Sequence, residues 1–216
     1  ASAGNDHRLG GNEAPPAIVS IFLGDELTHV LESIETDTYF GKQEKIQLDT
    51  GAPVLPHFLK DNTDRNRTSP FAFTGNKFEF RMLGSAASVA TPNIILNTAV
   101  AESLDQFYEE LKDTEPADMD EAIHALLKRA IQKHKKVIFN GNGYSDEWVE
   151  EAARRGLDNL ESTPDCLERL LSPKSISLLT KHHIFTKDEI CSRHDILLEN
   201  YVKTIAIEAR TMVDIL

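Results

Sequence analysis

The stretch Lys77-Phe78-Glu79-Phe80-Arg81-Met82 alternates charged and apolar side chains with a period of two. In an extended strand this period places Lys77, Glu79 and Arg81 on one face and the two phenylalanines on the other. A carboxylate can hold a hard divalent cation, and flanking cations can hold phosphate or carboxylate oxygens. The alternative is a half-buried strand whose polar face only contacts water, and the hexamer alone favours that alternative. Neighbouring segments are therefore needed to identify a site.

Composition limits the classes of protein to which the chain can belong. The 216 residues are 40% hydrophobic, which suffices for a core in one large domain or two small ones. A formal net charge of -12 argues against nonspecific binding to nucleic acid or anionic membranes, because both depend on Lys and Arg neutralising phosphates. No segment reaches the roughly 18 consecutive apolar residues of a membrane span. We expect a globular protein with no nucleic-acid or membrane partner.

The cysteines and the chain ends add two further expectations. Cys166 and Cys191 are too few for a disulfide framework, which fits a reducing compartment and predicts a cytoplasmic protein. Ala1 is not an initiator methionine, and the last helical pattern runs into Leu216 without a stop signal. We therefore expect an excerpt, or a processed form, of a longer protein.

The front half of the chain is predicted to mix strands, loops and a short helix. Residues 17–23 are a short apolar run, rich in β-branched residues, that is typical of a buried strand. Apolar residues at helical spacing over 25–34 predict an amphipathic helix, with Asp25 as a possible cap. Residues 35–68 mix Gly, Pro, Asp, Asn and Thr, which indicates loops with minor strands.

The back half is predicted to be mostly helical. Apolar residues recur on one side of five segments, at 92–111, 119–135, 164–171, 174–181 and 187–216. Ser145 is expected to cap a further helix whose first turn holds Asp146 and Glu147. A boundary near Glu115-Pro116 is expected to divide the chain into a strand-containing region, 1–115, and a helical region, 116–216.

Two loops in the front half contain arginines that could bind an anion. In the loop over 5–16, Arg8 precedes Glu13 by five positions across two glycines, which places a cation in a flexible acidic loop. In the loop over 64–71, two guanidiniums including that of Arg67 precede an aromatic stretch, a setting that suits bidentate oxyanion binding. A polar turn and a solvated loop are the plainer alternatives.

Two patterns in the back half contain residue types common in ligand sites. Residues 141–143, Gly-Asn-Gly, are similar to a phosphate loop, but they lack the Lys and the Ser or Thr of a P-loop, so a turn is favoured. Four side chains are of the types that bind zinc: His182, His183, Cys191 and His194. No second paired motif completes a tetrahedral set of zinc ligands, so a zinc site is disfavoured.

Three motifs occur in the order and approximate spacing of the glutamine synthetase catalytic domain. They are NDHRLGGNEAPPA over 5–17, DRNRTSPFAFTG over 64–75 and NKFEFRM over 76–82. The chain resembles the large type III bacterial class most closely, and the helical remainder resembles that class without a functional motif. The resemblance implies an α+β fold, with part of a catalytic domain that has an antiparallel sheet backed by helices and is guanido-kinase-like, followed by a mostly helical region.

The resemblance, and not composition or periodicity, supplies a reaction. It implies ATP-dependent ligation of ammonia to glutamate through γ-glutamyl phosphate, with Mg²⁺ or Mn²⁺ as metal and ATP as co-substrate. The partners implied are glutamate, ammonia and ATP, together with further copies of the same subunit in a ring-shaped homo-oligomer. ATP phosphates and a carboxylate must approach each other in this reaction, so fixed cations must neutralise the developing charge.

Motif position assigns a role to each candidate residue. Glu79 resembles a metal ligand, and Arg81 resembles the arginine that meets the substrate carboxylate and the transferred phosphoryl group. Arg8 resembles the arginine that binds glutamate, and Arg67 the one that stabilises the phosphates. Glu13 resembles the acidic residue that closes over the intermediate and helps to deprotonate ammonium.

Three positions depart from the common family pattern. Lys77 stands where many members carry an arginine on the nucleotide side, and it cannot form a planar fork. Ala72 stands where another arginine is common, and the loop from Arg8 to Glu13 is one residue shorter. All three departures fit the type III variant.

The implied metal site is incomplete in this sequence. The remaining metal-binding carboxylates and a histidine of the family pattern would lie before Ala1, so we expect the chain alone to be inactive. Two alternatives stay open, a noncatalytic scaffold or regulatory protein and a ligase that uses an amine other than ammonia.

Overall fold

The computed structural model describes most of the chain from Pro16 onwards and a few residues before it. The described residues are 6, 8, 14, 16–38, 69–84 and 87–216, together with the strand positions 47–48 and 58–59. The chain divides into two compact units. Unit 1 comprises Ala1–Ile18, Met82–Met119 and Tyr144–Leu216, and unit 2 comprises Val19–Arg81 and Asp120–Gly143. The expected boundary near Glu115-Pro116 stays a prediction.

The described residues contain five short strands and seven α-helices. The strands are β1 (Ile21–Phe22), β2 (Gln47–Leu48), β3 (Phe58–Leu59), β4 (Phe71–Phe73) and β5 (Phe78–Phe80). The helices are α1 (Gly24–Thr36), α2 (Ala90–Leu111), α3 (Met119–His134), α4 (Asp146–Arg154), α5 (Thr163–Glu168), α6 (Pro173–Lys181) and α7 (Lys187–Ile215). The α+β class is confirmed, and the predicted bounds of α2 and α3 agree with the structure to within two residues.

Unit 2 is built around a three-stranded sheet in the order β1-β4-β5. β4 and β5 are antiparallel, with Phe71 opposite Phe80, whereas β1 runs parallel to β4. The expected antiparallel sheet is therefore antiparallel only in part, because a long connection that contains α1 separates β1 from β4 and allows parallel pairing. β2 and β3 form a separate antiparallel pair.

A distant asparagine caps helix α1 in unit 2. The Asn140 side-chain oxygen accepts hydrogen bonds from the backbone N–H of Leu23 at 3.0 Å and of Gly24 at 3.1 Å. The Asn140 amide nitrogen donates to Thr28 Oγ1 at 2.8 Å. Asp25 lies in the first turn and not at the cap, so that expectation was wrong. Asn140 satisfies amide groups that a helix start leaves without intrahelical partners.

In unit 1, side-chain caps fix where most of the helices begin. Ser145 accepts a hydrogen bond from the Trp148 N–H, as predicted, and Ser162 and Ser172 cap α5 and α6 in the same way. Thr186 forms a capping box with Glu189 at the start of α7. The side chains buried in this unit include Trp148, Ala152, Leu179 and Ile190.

Helix α7 keeps its one-sided pattern for only half of its length. Ile190 and His194 are buried, and Tyr201 is half-buried, whereas every residue from Val202 to Leu216 is exposed. The predicted single apolar face therefore packs only as far as Tyr201. No helix in the described part of the chain combines the length and the apolar character needed to cross a bilayer.

Candidate functional site

The β4–β5 hairpin carries the alternating sequence from which the site was predicted. Phe78 stacks on Phe71 at 5.3 Å between ring centroids and lies at the same distance from Phe73, so the phenylalanines share one face. Ala72 is fully buried opposite Glu79, and directly opposite residues point to the same face. Phe78 and Phe80 remain 48% and 38% exposed. A half-buried strand, the alternative named above, would have its aromatic face covered. The aromatic face observed here is more exposed than that.

The charged face of β5 forms a short chain of ion pairs. Lys77 Nζ lies 3.2 Å from Glu79 Oε1, and Arg81 Nη2 donates to Glu79 Oε2 at 3.1 Å. The exposed fraction falls along the row, from 65% for the Lys77 side chain to 38% for Glu79 and 20% for Arg81. The Arg81 backbone N–H also donates to the Pro70 carbonyl at 2.7 Å. Arg81 is thus held through both its backbone and its side chain.

These contacts keep the Glu79 carboxylate charged. The hydrogen bond from Arg81, followed by that from Lys77, lowers the pKa of Glu79 below its ordinary value. An ionised Glu79 fixes the orientation of the Arg81 guanidinium, which has five N–H donors in a planar fork. The row can therefore present oriented cationic donors to a phosphate or a carboxylate.

Glu79 fits one ligand of the divalent cation that the resemblance implies, but it does not form a metal site alone. Mg²⁺ prefers about six oxygen ligands. Within the part of the chain that the structure describes, no three His, Cys, Asp or Glu side chains cluster. Both oxygens of Glu79 already contact cations. Further oxygen donors would have to come from outside the described residues.

The other predicted site residues are Arg8, Glu13 and Arg67. Arg8 belongs to unit 1, where it is half-buried. Glu13 and Arg67 lie outside the described residues. The structure brings together Lys77, Glu79 and Arg81, while the gathering of Arg8, Arg67 and Glu13 around them stays a prediction.

The weaker patterns of the back half have structural roles. Residues 141–144 form a bend and a turn, as predicted, directly after the asparagine that caps α1. A Cβ atom at Gly141 would lie 2.5 Å from the far end of the Phe139 ring, so a larger residue there would require this ring to shift. His194 Nδ1 pairs with Asp195 Oδ1 at 3.0 Å, and His183 has a positive φ of 53° at the end of α6.

A second charged cluster, which the sequence did not reveal, joins α2 to α6 in unit 1. Glu102 Oε2 lies 2.7 Å from both Lys181 Nζ and His182 Nε2, and Gln106 donates to Glu102 Oε1 at 2.7 Å. Lys181 also contacts Asp105 at 2.7 Å. Hydrogen bonds from Lys181, Gln106 and His182 lower the pKa of Glu102 to about 2. Among these contacts, only the one between Glu102 and Gln106 joins residues four positions apart on one helix, a spacing that can be recognised in a sequence.

A third arrangement was also missed, and it involves the segment that carries Arg8. Asp6 Oδ2 accepts a hydrogen bond from the Thr163 backbone N–H at 2.9 Å, and Asp6 Oδ1 accepts one from Thr163 Oγ1 at 2.7 Å. The two residues are 157 positions apart, and nothing in the local sequence of either one indicates the contact.

Comparison with known proteins gives consistent matches along the chain. Residues 122–216 match the family model described as "Glutamine synthetase C-terminal domain". The chain is 52% identical to a "Glutamine synthetase" from Butyrivibrio fibrisolvens over 98% of its own length. It is 48% identical to the "Type-3 glutamine synthetase" of Dictyostelium discoideum over its whole length, and 44% identical to a "Glutamine synthetase" of Bacteroides fragilis (strain YCH46) over 99%. The chain covers 30%, 29% and 30% of these relatives, respectively.

Proposed function

The chain belongs to the glutamine synthetase family, and we propose that it acts within a longer ligase that joins ammonia to the side-chain carboxylate of glutamate, using ATP. The relatives' names and the extent of the similarity support this proposal. The observation that carries it is the row Lys77, Glu79 and Arg81, in which one ionised carboxylate lies between two cations on one strand face.

The proposed reaction has two steps. An oxygen of the glutamate γ-carboxylate attacks the γ-phosphorus of ATP, so an acyl phosphate forms and the bond to ADP breaks. Ammonia then attacks the acyl carbon, a C–N bond forms, the C–O bond to phosphate breaks, and the nitrogen loses a proton. Negative charge is most crowded in the first step, and preorganised cationic donors stabilise it because they need no reorientation during the reaction.

The row on β5 supplies such donors. Arg81 is four-fifths buried, so its guanidinium interacts with an anion in a setting less screened by water than the exposed Lys77 ammonium does. We assign Arg81 to the substrate carboxylate and the transferred phosphoryl group. Lys77 is assigned to the nucleotide side, where its ammonium acts as a point charge and not as a fork. Glu79 orients Arg81 through the ion pair between them.

The remaining assignments rest on the motif resemblance. Arg8 is proposed to bind glutamate, Arg67 to stabilise the phosphates and Glu13 to accept the proton that ammonium loses. Mg²⁺ or Mn²⁺, when bound, supplies charge neutralisation on the phosphates, and Glu79 would be one of its ligands. A ring-shaped homo-oligomer and a cytoplasmic location complete the proposal.

Expression of the 216 residues alone and within a polypeptide of the relatives' length tests the proposal. We expect ATP-dependent glutamine formation from the longer polypeptide and none from the 216 residues, because the described residues contain no cluster of three metal-ligating side chains. Detectable γ-glutamyl transfer by the shorter chain would contradict the second expectation. Activity of the longer polypeptide with a small amine but not with ammonia would show that the enzyme uses a different nitrogen substrate. Inactivity with both would indicate a noncatalytic protein.

A further inference from the structure

The contact between Asp6 and Thr163 ties the segment that carries Arg8 to the helical part of unit 1. Both oxygens of the Asp6 carboxylate are engaged by one residue, through its backbone N–H at 2.9 Å and its hydroxyl at 2.7 Å. Thr163 is the first residue of α5, so the carboxylate also lies at the positive end of a helix. Hydrogen bonds to an ionised acceptor are among the stronger ones in proteins.

The surroundings of Asp6 show that this contact is partly enclosed. Burial, then the charge of Asp6 and a hydrogen bond with it, raise the pKa of Tyr201 on α7. Burial, together with the charge of Asp6, also raises the pKa of the Cys166 thiol on α5. Since α5 packs against α7, Asp6 contacts a junction between two helices and not an isolated helix end.

Buried residues fix the same segment a short distance further along the chain. Ala14 and Ile18 are 3% and 2% exposed. The segment that carries Arg8 is therefore held by hydrogen bonds at Asp6 and leads to buried side chains at Ala14 and Ile18.

Arg8 lies only two residues after the hydrogen-bonded aspartate. Asp6 and Arg8 both have 3₁₀ conformation. Because a 3₁₀ helix has three residues per turn, side chains two positions apart lie on different sides of the helix axis. Asp6 can thus face α5 while the Arg8 side chain points in another direction. Because one residue separates the two, fixing Asp6 limits the space that the Arg8 backbone can reach.

We propose that Asp6, held by Thr163, is a positioning residue for Arg8, through which helices α5 and α7 set the affinity for glutamate. This inference rests on the proposed function, since it needs Arg8 to bind glutamate. Loss of the contact would loosen the backbone that carries Arg8, and the entropy lost when substrate binding orders it again would reduce glutamate affinity. ATP affinity would be little affected.

Steady-state kinetics of a polypeptide of the relatives' length that carries these residues provide the test. Asp6→Ala removes both hydrogen bonds, and we expect the KM for glutamate to rise about tenfold. We expect kcat and the KM for ATP to change by less than about twofold, because no group assigned to the phosphates is altered. Thr163→Val should raise the glutamate KM by about threefold, and Thr163→Ser, which retains the hydroxyl, should restore it.

Ser162→Ala is the matched control for a merely structural effect. Ser162 caps the same helix by accepting from the Asp165 N–H, and the Asp6 contact does not use it. This variant should lower Tm while leaving the glutamate KM unchanged. An equal rise of glutamate KM in Ser162→Ala and Thr163→Val would overturn the proposal, because loss of helix stability alone would then explain both.

Arg8→Ala separates a failure of this inference from a failure of the proposed function. If Arg8→Ala raises the glutamate KM and Asp6→Ala and Thr163→Val do not, the positioning role is refuted and the function stands. If Arg8→Ala leaves the glutamate KM unchanged, the role assigned to Arg8 and the positioning proposal both fail. Should Asp6→Ala fail to fold, the Thr163→Val and Thr163→Ser pair alone decides the outcome.

Discussion

Glu79 and Glu102 are each held by two basic side chains, but their partners come from different places. Glu79 contacts Lys77 and Arg81, which flank β5 two residues away on either side. Glu102 on α2 contacts Lys181 at the end of α6 and His182 directly after it, which are 79 and 80 positions away in the sequence.

This difference shows which of the two carboxylates joins separate parts of the fold. Ion pairs along one strand and its flanking residues join no two elements of the fold, and exposed pairs contribute little stability. Ion pairs between α2 and α6 join elements that are distant in sequence. The two ion pairs of Glu79 therefore join no separate elements of the fold, which favours a role toward a ligand, whereas the Glu102 cluster needs no ligand to account for it.

Substitution of the two carboxylates should give opposite results. In a polypeptide of the relatives' length, we expect Glu79→Gln to lower kcat/KM for glutamine formation by about 10²–10³-fold, since the charge that orients Arg81 and is assigned to the metal ion is lost. Its Tm should stay unchanged. Glu102→Gln is the matched control, and its activity should stay within about twofold of the parent. Equal activity losses in both variants would remove the distinction between the two carboxylates.

Exchanging arginine and lysine at the two ends of the Glu79 row should show which of the two cations contacts the substrate as a planar fork. Arg81→Lys keeps the positive charge and loses the planar fork, so we expect kcat/KM to fall by about tenfold or more. Lys77→Arg adds a fork at the exposed end of the row and should change kcat/KM by less than about threefold. Parallel kinetics of the two variants give the measurement, and an unchanged Arg81→Lys enzyme would show that the fork is not used.

The Asn140 cap joins residues that are far apart in the sequence, as the Glu102 cluster does, so its removal should lower stability. Asn140→Ala leaves two amide groups at the start of α1 without their partner, and we expect about 1 kcal/mol lower unfolding free energy. Asn97, which is exposed on α2, provides the control, with an expected change within about 0.5 kcal/mol. Urea unfolding of the 216-residue chain measures both, and equal values would refute the capping role.

The smallest expected effect is the pH dependence of the Glu102 cluster. Because the pKa of Glu102 is depressed from 4.5 to about 2, its stabilising contribution is present above pH 4.5 and is lost as the pH falls towards 2. The Tm of Glu102→Gln should therefore lie below that of the parent at pH 7, by on the order of 2 °C, and approach it as the pH falls. A Tm difference that is constant from pH 7 to pH 3 would contradict this assignment.

Local signals in the sequence sufficed for the features that depend on neighbouring residues. The Ser145 cap and the bounds of α2 and α3 follow from spacing within a few residues, and so does the shared face of Lys77, Glu79 and Arg81. The run over 17–23 was predicted as one strand, but only Ile21 and Phe22 form it. A strand needs a partner, and β4 is only three residues long.

Contacts between distant residues could not be predicted from the sequence. The Asn140 cap, the Asp6–Thr163 contact and the Glu102 cluster each join positions that are 76 or more apart. No periodicity or motif spacing encodes which distant side chains will meet. The exposed end of α7 was missed for the same reason, because an apolar face shows what could pack and not whether a neighbour covers it.

The central claim is that Arg8, Arg67, Glu79 and Arg81 surround one substrate. The most direct test is an experimental structure of a polypeptide of the relatives' length with a nucleotide and glutamate bound. We predict that the three arginines lie within hydrogen-bonding distance of glutamate or the phosphates and that Glu79 coordinates a metal ion beside them. Ligands bound elsewhere, with these four side chains on separate surfaces, would contradict the claim.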